Sequence, residues 1–201
     1  TVKDNYKFEN QLLNEIDFEN KKVIMITAHR RENWGEGIEN ICDALNKIVE
    51  ENKDVELVYL VHLNPVVKDV VTKKLGNKER IHLLPPLDTK ETHNLMNKCF
   101  MVMTDSGGLQ EEAPHLGKPV LVLRDVTERP EAVVYGTVKL VGTDINKIVS
   151  EANILIREKD EYTKMSKAAN PYGDGLASKR IADIIENYFG INSIKIEEFL
   201  R

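Results

Sequence analysis

Short apolar runs alternate with longer amphipathic stretches along most of the chain, and this alternation limits the fold more than any other feature. The apolar runs are rich in Val, Ile and Leu and do not alternate cleanly with polar residues; they cover 22–28, 55–61, 80–84, 99–104, 119–123 and 138–142. Such runs are typical of strands in a parallel sheet with both faces covered. We therefore predict an α/β domain with right-handed crossovers.

Helical patterns lie between the predicted strands. One face of 37–51 carries Ile38, Ile41, Leu45, Ile48 and Val49. Spacing, caps and breakers predict further helices at 65–75, 90–98, 107–117 and 144–158. Two segments fall outside this repeat. We expect 1–20 to be an interdomain segment that leads into the domain, and 176–190 to be an amphipathic terminal helix that crosses to another domain.

Charge and composition exclude several classes of protein. The net charge of −5 argues against a general nucleic-acid binder, although a diphosphate ligand needs only local cations. Charged residues interrupt every apolar run, and the first residues do not resemble a signal peptide, so we expect a cytoplasmic protein that does not bind membranes. Cys42 and Cys99 lie far apart in the sequence and are expected to be buried free thiols.

A glycine-rich turn follows the fourth predicted strand, at Thr104-Asp105-Ser106-Gly107-Gly108. Its two glycines allow a sharp turn and close approach of a ligand, and N–H groups at the start of a helix favour an anion such as a diphosphate. Glu112, one to two turns further on, is placed to accept hydrogen bonds from ribose hydroxyls. The alternative is that Asp105 and Ser106 only cap a helix and the glycines only serve the turn.

Three other strand ends carry polar residues. His29, Arg30 and Arg31 follow the first strand and are candidates for holding a phosphate or sugar; alternatively, they form a solvated basic loop in which Glu32 neutralises an arginine. His62 precedes Asn64-Pro65, where the alternative is a helix cap beside a half-buried histidine. Two arginines and three acids occupy 124–131, and they could equally form a surface ion-pair network.

Several common sites are not predicted. His82, His93 and His115 have no carboxylate or Cys partner at ligand spacing, so we expect no metal site. Neither a P-loop nor a G-x-G-x-x-G motif occurs, and no cofactor is expected. The nucleophile-elbow pattern G-x-S-x-G is also absent, which makes Ser106 a binding residue and not a nucleophile.

Four motifs together resemble a known family. They are TAHRREN (27–33), VHLNP (61–65), TDSGGLQEEAPHLGKPVLVLRDVTERPEA (104–132) and GT-x-x-LVGTD (136–144). In order and spacing they resemble the second domain of bacterial and archaeal UDP-N-acetylglucosamine 2-epimerases of the non-hydrolysing type, over about residues 22–190. The resemblance implies a Rossmann-like three-layer domain with a parallel sheet, the second domain of a glycosyltransferase-B type fold.

The same resemblance implies roles for individual residues. The implied catalytic residues are His29 and Arg129, which would face the phosphates and the sugar. The implied binding residues are Ser106, Gly107 and Gly108 for the diphosphate, Glu112 for the ribose, Arg30 and His62 along the cleft, and Thr92 beside the uracil.

The implied reaction interconverts UDP-N-acetylglucosamine and UDP-N-acetylmannosamine by elimination and re-addition of UDP. The family's opening strand and G-T-R-P-E segment do not occur in these 201 residues. We therefore expect the chain to supply the UDP-binding half, to be inactive alone, and to need an N-terminal domain within a full-length homodimer. The alternatives are a hydrolysing epimerase or glycosyltransferase with the same UDP site, and a non-catalytic nucleotide-sugar sensor.

Overall fold

A parallel sheet of six strands, in the order β3-β2-β1-β4-β5-β6, forms the centre of the computed structural model, which describes residues 2–3 and 5–196. The strands are β1 Lys22–Thr27, β2 Val55–Leu60, β3 Ile81–Leu84, β4 Met101–Thr104, β5 Val120–Val122 and β6 Val138–Leu140. In the central pair, Ile24 of β1 lies opposite Met101 of β4. The predicted parallel α/β fold is confirmed.

Helices connect the strands and cover the sheet. They are α1 Gln11–Glu15, α2 Glu36–Glu51, α3 Pro65–Leu75, α4 Thr89–Lys98, α5 Leu109–His115, α6 Pro130–Tyr135, α7 Ile145–Arg157, α8 Lys159–Ser166 and α9 Ala177–Tyr188, with a 3₁₀ turn at Arg31–Asn33. Asn64, Asp88 and Asp144 cap α3, α4 and α7 by accepting backbone N–H groups.

Three helical features differ from the sequence prediction. Helix α5 begins at Leu109 and not near 107, because Ser106 to Gly108 form a turn before it. Helix α6 has only six residues, which is too short for a helical repeat to be visible in the sequence. Helix α8 follows α7 after the single residue Glu158. None of its eight residues is buried, and they show no apolar stripe from which a helix could be predicted.

Two hydrophobic clusters lie on opposite faces of the sheet. Side chains alternate along β1, so that Ile24 and Ile26 belong to the cluster under α2, α3 and α7, whereas Val23 and Met25 belong to the cluster under α1, α4, α5 and α6. All four of these strand residues have no exposed surface. The molecule therefore has three layers, as the fold prediction requires.

The first part of the chain packs on the second of these clusters. Tyr6, Phe8, Leu13 and Ile16 are buried there. The backbone N–H of Glu9 also donates to the carboxylate of Glu91, at 2.6 Å. The described part of 1–20 thus contacts this domain directly.

Helix α9 has the predicted amphipathic character, but its apolar face is open. Ile181, Ile184 and Ile185 are each at least 50% exposed, and Tyr188 and Phe189 are more so. None of its residues is buried. Crossing of this helix to another domain remains a prediction.

Among the described helices, none combines the length and the apolar character that a membrane crossing would require.

Candidate functional site

The candidate site lies where the strand order changes direction. Strand β1 pairs with β2 on one side and with β4 on the other, so the loops after β1 and β4 leave the same edge of the sheet and diverge. Crevices of this kind are where open α/β sheets bind ligands. Thr27 and Thr104 end the two strands, and their hydroxyl oxygens are 2.6 Å apart.

Asp105 joins the two loops. Its Oδ2 accepts the backbone N–H groups of His29 and Arg30, at 2.8 and 2.7 Å, and the side-chain amide of Asn33, at 3.1 Å. Asp105 is fully buried. The N-terminal cap of α5 is instead Gly108, which makes no side-chain cap. The alternative in which Asp105 caps this helix is therefore wrong.

The turn from Ser106 to Gly108 lies between a cation and a carboxylate. Ser106 donates its backbone N–H to the hydroxyl of Thr104, at 2.9 Å. A Cβ built on Gly107 would lie 3.7 Å from an Nη of Arg30, and one on Gly108 would lie 3.4 Å from an Oε of Glu112. The absence of side chains here keeps the backbone accessible beside both groups.

His29 and His62 come together at the same edge. Their rings stack with centroids 5.1 Å apart and an angle of 10° between the planes. Nδ1 of His62 accepts the backbone N–H of Asn64, at 3.1 Å, and Asn64 caps α3. The cap by Asn64 is confirmed, but His62 is exposed and not half-buried, because it lies beyond the end of β2.

Arg124 ties the loop after β1 to the loop after β5. It is 4% exposed and donates to Glu32, at 2.5 Å, and to Glu128, at 2.6 Å. The Arg124 guanidinium lowers the pKa of Glu128 to about 2. Glu32 thus neutralises Arg124 and not an arginine of its own loop, and this ion cluster is anchored inside the domain and not only on its surface. Arg30 lies 3.6 Å from Glu128 at the edge of the cluster.

Arg129 faces the first turn of α5. Its Nε donates to Glu111, and this hydrogen bond raises the pKa of the guanidinium. Its backbone N–H donates to the hydroxyl of Thr127, at 3.0 Å, and that hydroxyl donates to Gln110, at 2.5 Å. The side chain remains 36% exposed, so the cation is accessible to a ligand.

Glu112 lies beside a cavity of about 570 Å³, together with His93, Glu111, His115 and Tyr172. Nε2 of His93 is 3.1 Å from a carboxylate oxygen of Glu112. Thr92 precedes His93 on α4, and its hydroxyl donates to the carbonyl of Leu87, at 3.4 Å. Through Glu112 the cavity adjoins Gly108 of the glycine-rich turn.

Two histidines that have no partner at ligand spacing in the sequence do have carboxylate partners in space. They are His93, paired with Glu112, and His82, whose ring lies 3.0 Å from Glu56. In each case the partners are on different elements, so sequence spacing could not reveal them. Within the part of the chain that the structure describes, no three His, Cys, Asp or Glu residues form a group that could hold a metal ion.

The structure thus brings most of the candidate residues to one edge of the sheet. Arg30 lies beside Gly107 of the glycine-rich turn, and His29 stacks on His62. Glu112 lies beside Gly108 and pairs with His93, the residue after Thr92. Arg129 contacts α5 through its hydrogen bond to Glu111. Sequence reasoning missed Asp105 as the link between loops, Arg124 as a buried anchor and His93 as the partner of Glu112, because each role depends on contacts distant in sequence.

Comparison with known proteins gives one family. The family model described as UDP-N-acetylglucosamine 2-epimerase matches residues 1–186. A protein of Clostridium acetobutylicum is 72% identical over 199 residues, which cover 99% of this chain and 52% of that protein. The chain therefore spans about half the length of the curated relatives that it matches.

Solved structures agree with this comparison. An S. aureus protein solved with UDP has a TM-score of 0.90 and 47% identity, covering 99% of this chain and 53% of its own. A Neisseria meningitidis UDP-GlcNAc 2-epimerase solved with UDP-GlcNAc has a TM-score of 0.83 and 46% identity, covering 88% of this chain and 47% of its own.

Proposed function

The chain belongs to the UDP-N-acetylglucosamine 2-epimerase family, and from that premise we propose that it is the UDP-binding half of an enzyme that interconverts UDP-N-acetylglucosamine and UDP-N-acetylmannosamine. The observation that carries this proposal is the turn from Ser106 to Gly108, which offers accessible backbone between Arg30 and Glu112 at the switch point of the sheet.

The diphosphate lies against Ser106, Gly107 and Gly108 in this proposal. The backbone N–H groups of Gly107 and Gly108, which precede α5, and the Ser106 hydroxyl are suitable donors to phosphate oxygens, whereas the Ser106 N–H is taken by Thr104. Arg129 and His29 face the phosphates and the sugar from neighbouring loops, where Arg129 is partly exposed and His29 is 40% exposed. The Arg129 cation there stabilises the negative charge that develops on UDP as it leaves the sugar.

The nucleoside extends towards the cavity beside α4. Glu112 accepts hydrogen bonds from the ribose hydroxyls, with His93 holding its carboxylate from the other side at 3.1 Å. The uracil contacts the backbone near Thr92. Arg30 and His62 line the remaining side of the cleft.

Proton transfer at carbon 2 requires an acid and a base near the sugar. We assign the carboxylates that do this to an N-terminal domain outside these 201 residues, which faces the present domain across the cleft. The exposed apolar face of α9 packs against that domain. The whole enzyme acts in the cytoplasm as a homodimer, and the chain by itself has no epimerase activity.

Calorimetric titration with UDP tests the ligand placement. Arg129→Ala removes a cation and Glu112→Ala removes the ribose acceptor, so each weakens UDP binding by about tenfold or more, the scale of one or two charge-assisted hydrogen bonds. Arg157→Ala and Glu50→Ala make the same chemical changes on exposed parts of α7 and α2 and leave the affinity unchanged.

UDP binding that ignores both site substitutions would contradict this placement. Incubation with UDP-N-acetylglucosamine tests the second statement: conversion to UDP-N-acetylmannosamine by the chain alone would contradict the assignment of the carboxylates to another domain.

A further inference from the structure

The two carboxylate oxygens of Asp105 differ in their hydrogen bonds. Oδ2 accepts three hydrogen bonds, from His29, Arg30 and Asn33. Oδ1 is buried and makes no hydrogen bond to the described residues. A buried carboxylate oxygen without a donor is costly, so its nearest available donor gains from turning towards it.

The ring of His29 supplies that donor. Its Nδ1 lies 3.5 Å from Oδ1 of Asp105, which is slightly longer than a hydrogen bond and within reach of a small ring rotation. The backbone N–H of the same histidine is already held by Oδ2, at 2.8 Å. Both oxygens of the carboxylate therefore face His29, one at its backbone and one at its ring.

We propose that Asp105 is the positioning residue for His29, holding the proton of its neutral ring on Nδ1 and thereby leaving Nε2 as the acceptor presented to the cleft. The His29 side chain is 40% exposed, and Nε2 is the ring nitrogen that does not face Asp105, so in this proposal it is the one available to a ligand. When the ring takes up a proton, Nε2 carries it and the Asp105 carboxylate balances the charge.

His62 has the opposite arrangement. Its Nδ1 accepts the backbone N–H of Asn64, at 3.1 Å, so its neutral ring carries the proton on Nε2. The stacked pair therefore presents one acceptor nitrogen, from His29, and one donor N–H, from His62, at the same edge of the sheet. A ligand that donates a hydrogen bond to His29 and accepts one from His62 through an oxygen fits this pair.

The role of His29 Nε2 as an acceptor for the ligand rests on the proposed function, but the position of the ring proton on His29 does not. It is measured without ligand, by two-bond ¹H–¹⁵N correlation spectra of the histidine rings at a pH at which they are neutral. His29→Gln identifies the His29 signals by their loss. We expect His29 to show its proton on Nδ1 and His62 to show its proton on Nε2.

Asp105→Asn sharpens the test because the two side chains have the same shape. The amide oxygen replaces Oδ2 and keeps the backbone N–H groups of His29 and Arg30. The amide NH₂ then replaces Oδ1 and donates to Nδ1 of His29, so the ring proton moves to Nε2 while the His62 signals keep their pattern. Asp144→Asn, at the cap of α7, is the matched control and changes neither histidine.

A wild-type His29 with its proton on Nε2 overturns the proposal, and this result does not depend on whether the Asp105→Asn variant folds. An Asp105→Asn variant that folds and keeps the wild-type proton position overturns it as well. If His29 shows the expected pattern but UDP does not bind, the proposed function fails and the positioning role of Asp105 stands.

Discussion

At the scale of single residues, Arg124 differs from the other arginines of the site because its charge is buried. Arg30 and Arg129 keep about a third of their side-chain surface exposed, whereas Arg124 keeps only 4% and is shared by Glu32 and Glu128. The exposed arginines are available to a ligand. Arg124 instead holds the loops that carry them, so its substitution should affect folding before it affects binding.

We therefore expect Arg124→Ala to lower the free energy of unfolding by about 2–3 kcal/mol, because it removes a buried side chain and its charged hydrogen bonds to Glu32 and Glu128. Urea denaturation measures the change. Glu128→Ala is the comparison: its side chain is 54% exposed and Arg124 keeps Glu32 as a partner, so its loss should cost less, about 1 kcal/mol. Equal effects of the two substitutions would contradict the anchoring role of Arg124.

At the scale of secondary-structure elements, α7 and α9 carry similar apolar stripes but use them differently. Ile148 on α7 has no exposed surface, whereas Ile184 on α9 is 50% exposed. Helix propensity and pattern are alike in the two cases, so packing decides how much each helix contributes to stability. Exposed apolar stripes of this kind are typical of interaction surfaces, and the packing of α9 on another domain stays a prediction.

Alanine substitution should separate the two helices. Ile148→Ala should destabilise the domain by about 2–5 kcal/mol, as expected for a large-to-small change in a core. Ile184→Ala should cost less than about 1 kcal/mol, since half of the side chain is already in water. Chemical denaturation measures both, and a loss at Ile184 as large as that at Ile148 would mean that α9 already packs fully on this domain.

At the scale of the whole molecule, the two cysteines can report separately on the unfolding of the two faces of the sheet. Cys42 lies in the cluster under α2 and Cys99 in the cluster on the opposite face of the sheet. Burial raises the pKa of both thiols to about 12. Because the thiolate is the reactive form, neither should react in the native state at neutral pH.

Labelling of the single-cysteine variants Cys42→Ala and Cys99→Ala should therefore follow unfolding. If both faces of the sheet unfold together, the remaining thiol in each variant reacts with the same dependence on urea, once each variant's own stability is allowed for. The rate of reaction with a chromogenic disulfide measures this. Faster labelling of Cys99 than global unfolding permits would show that the face under α1 and α4 opens separately.

Much of this molecule follows from local sequence. The buried strands, the capped helices α3, α4 and α7, and the turn at Ser106–Gly108 are all visible there, because side-chain period, caps and glycines act over a few residues. The candidate residues at four strand ends follow too, since the carboxyl ends of parallel strands share one edge.

Tertiary structure alone decided which of these residues act on one another. The carboxylate of Asp105 faces His29 from 76 positions away, and Arg124 reaches Glu32 over 92 positions. Such contacts depend on the strand order, which places β4 beside β1 and β5 beside β4. No local pattern encodes that order, because it results from packing the apolar faces of all the elements together.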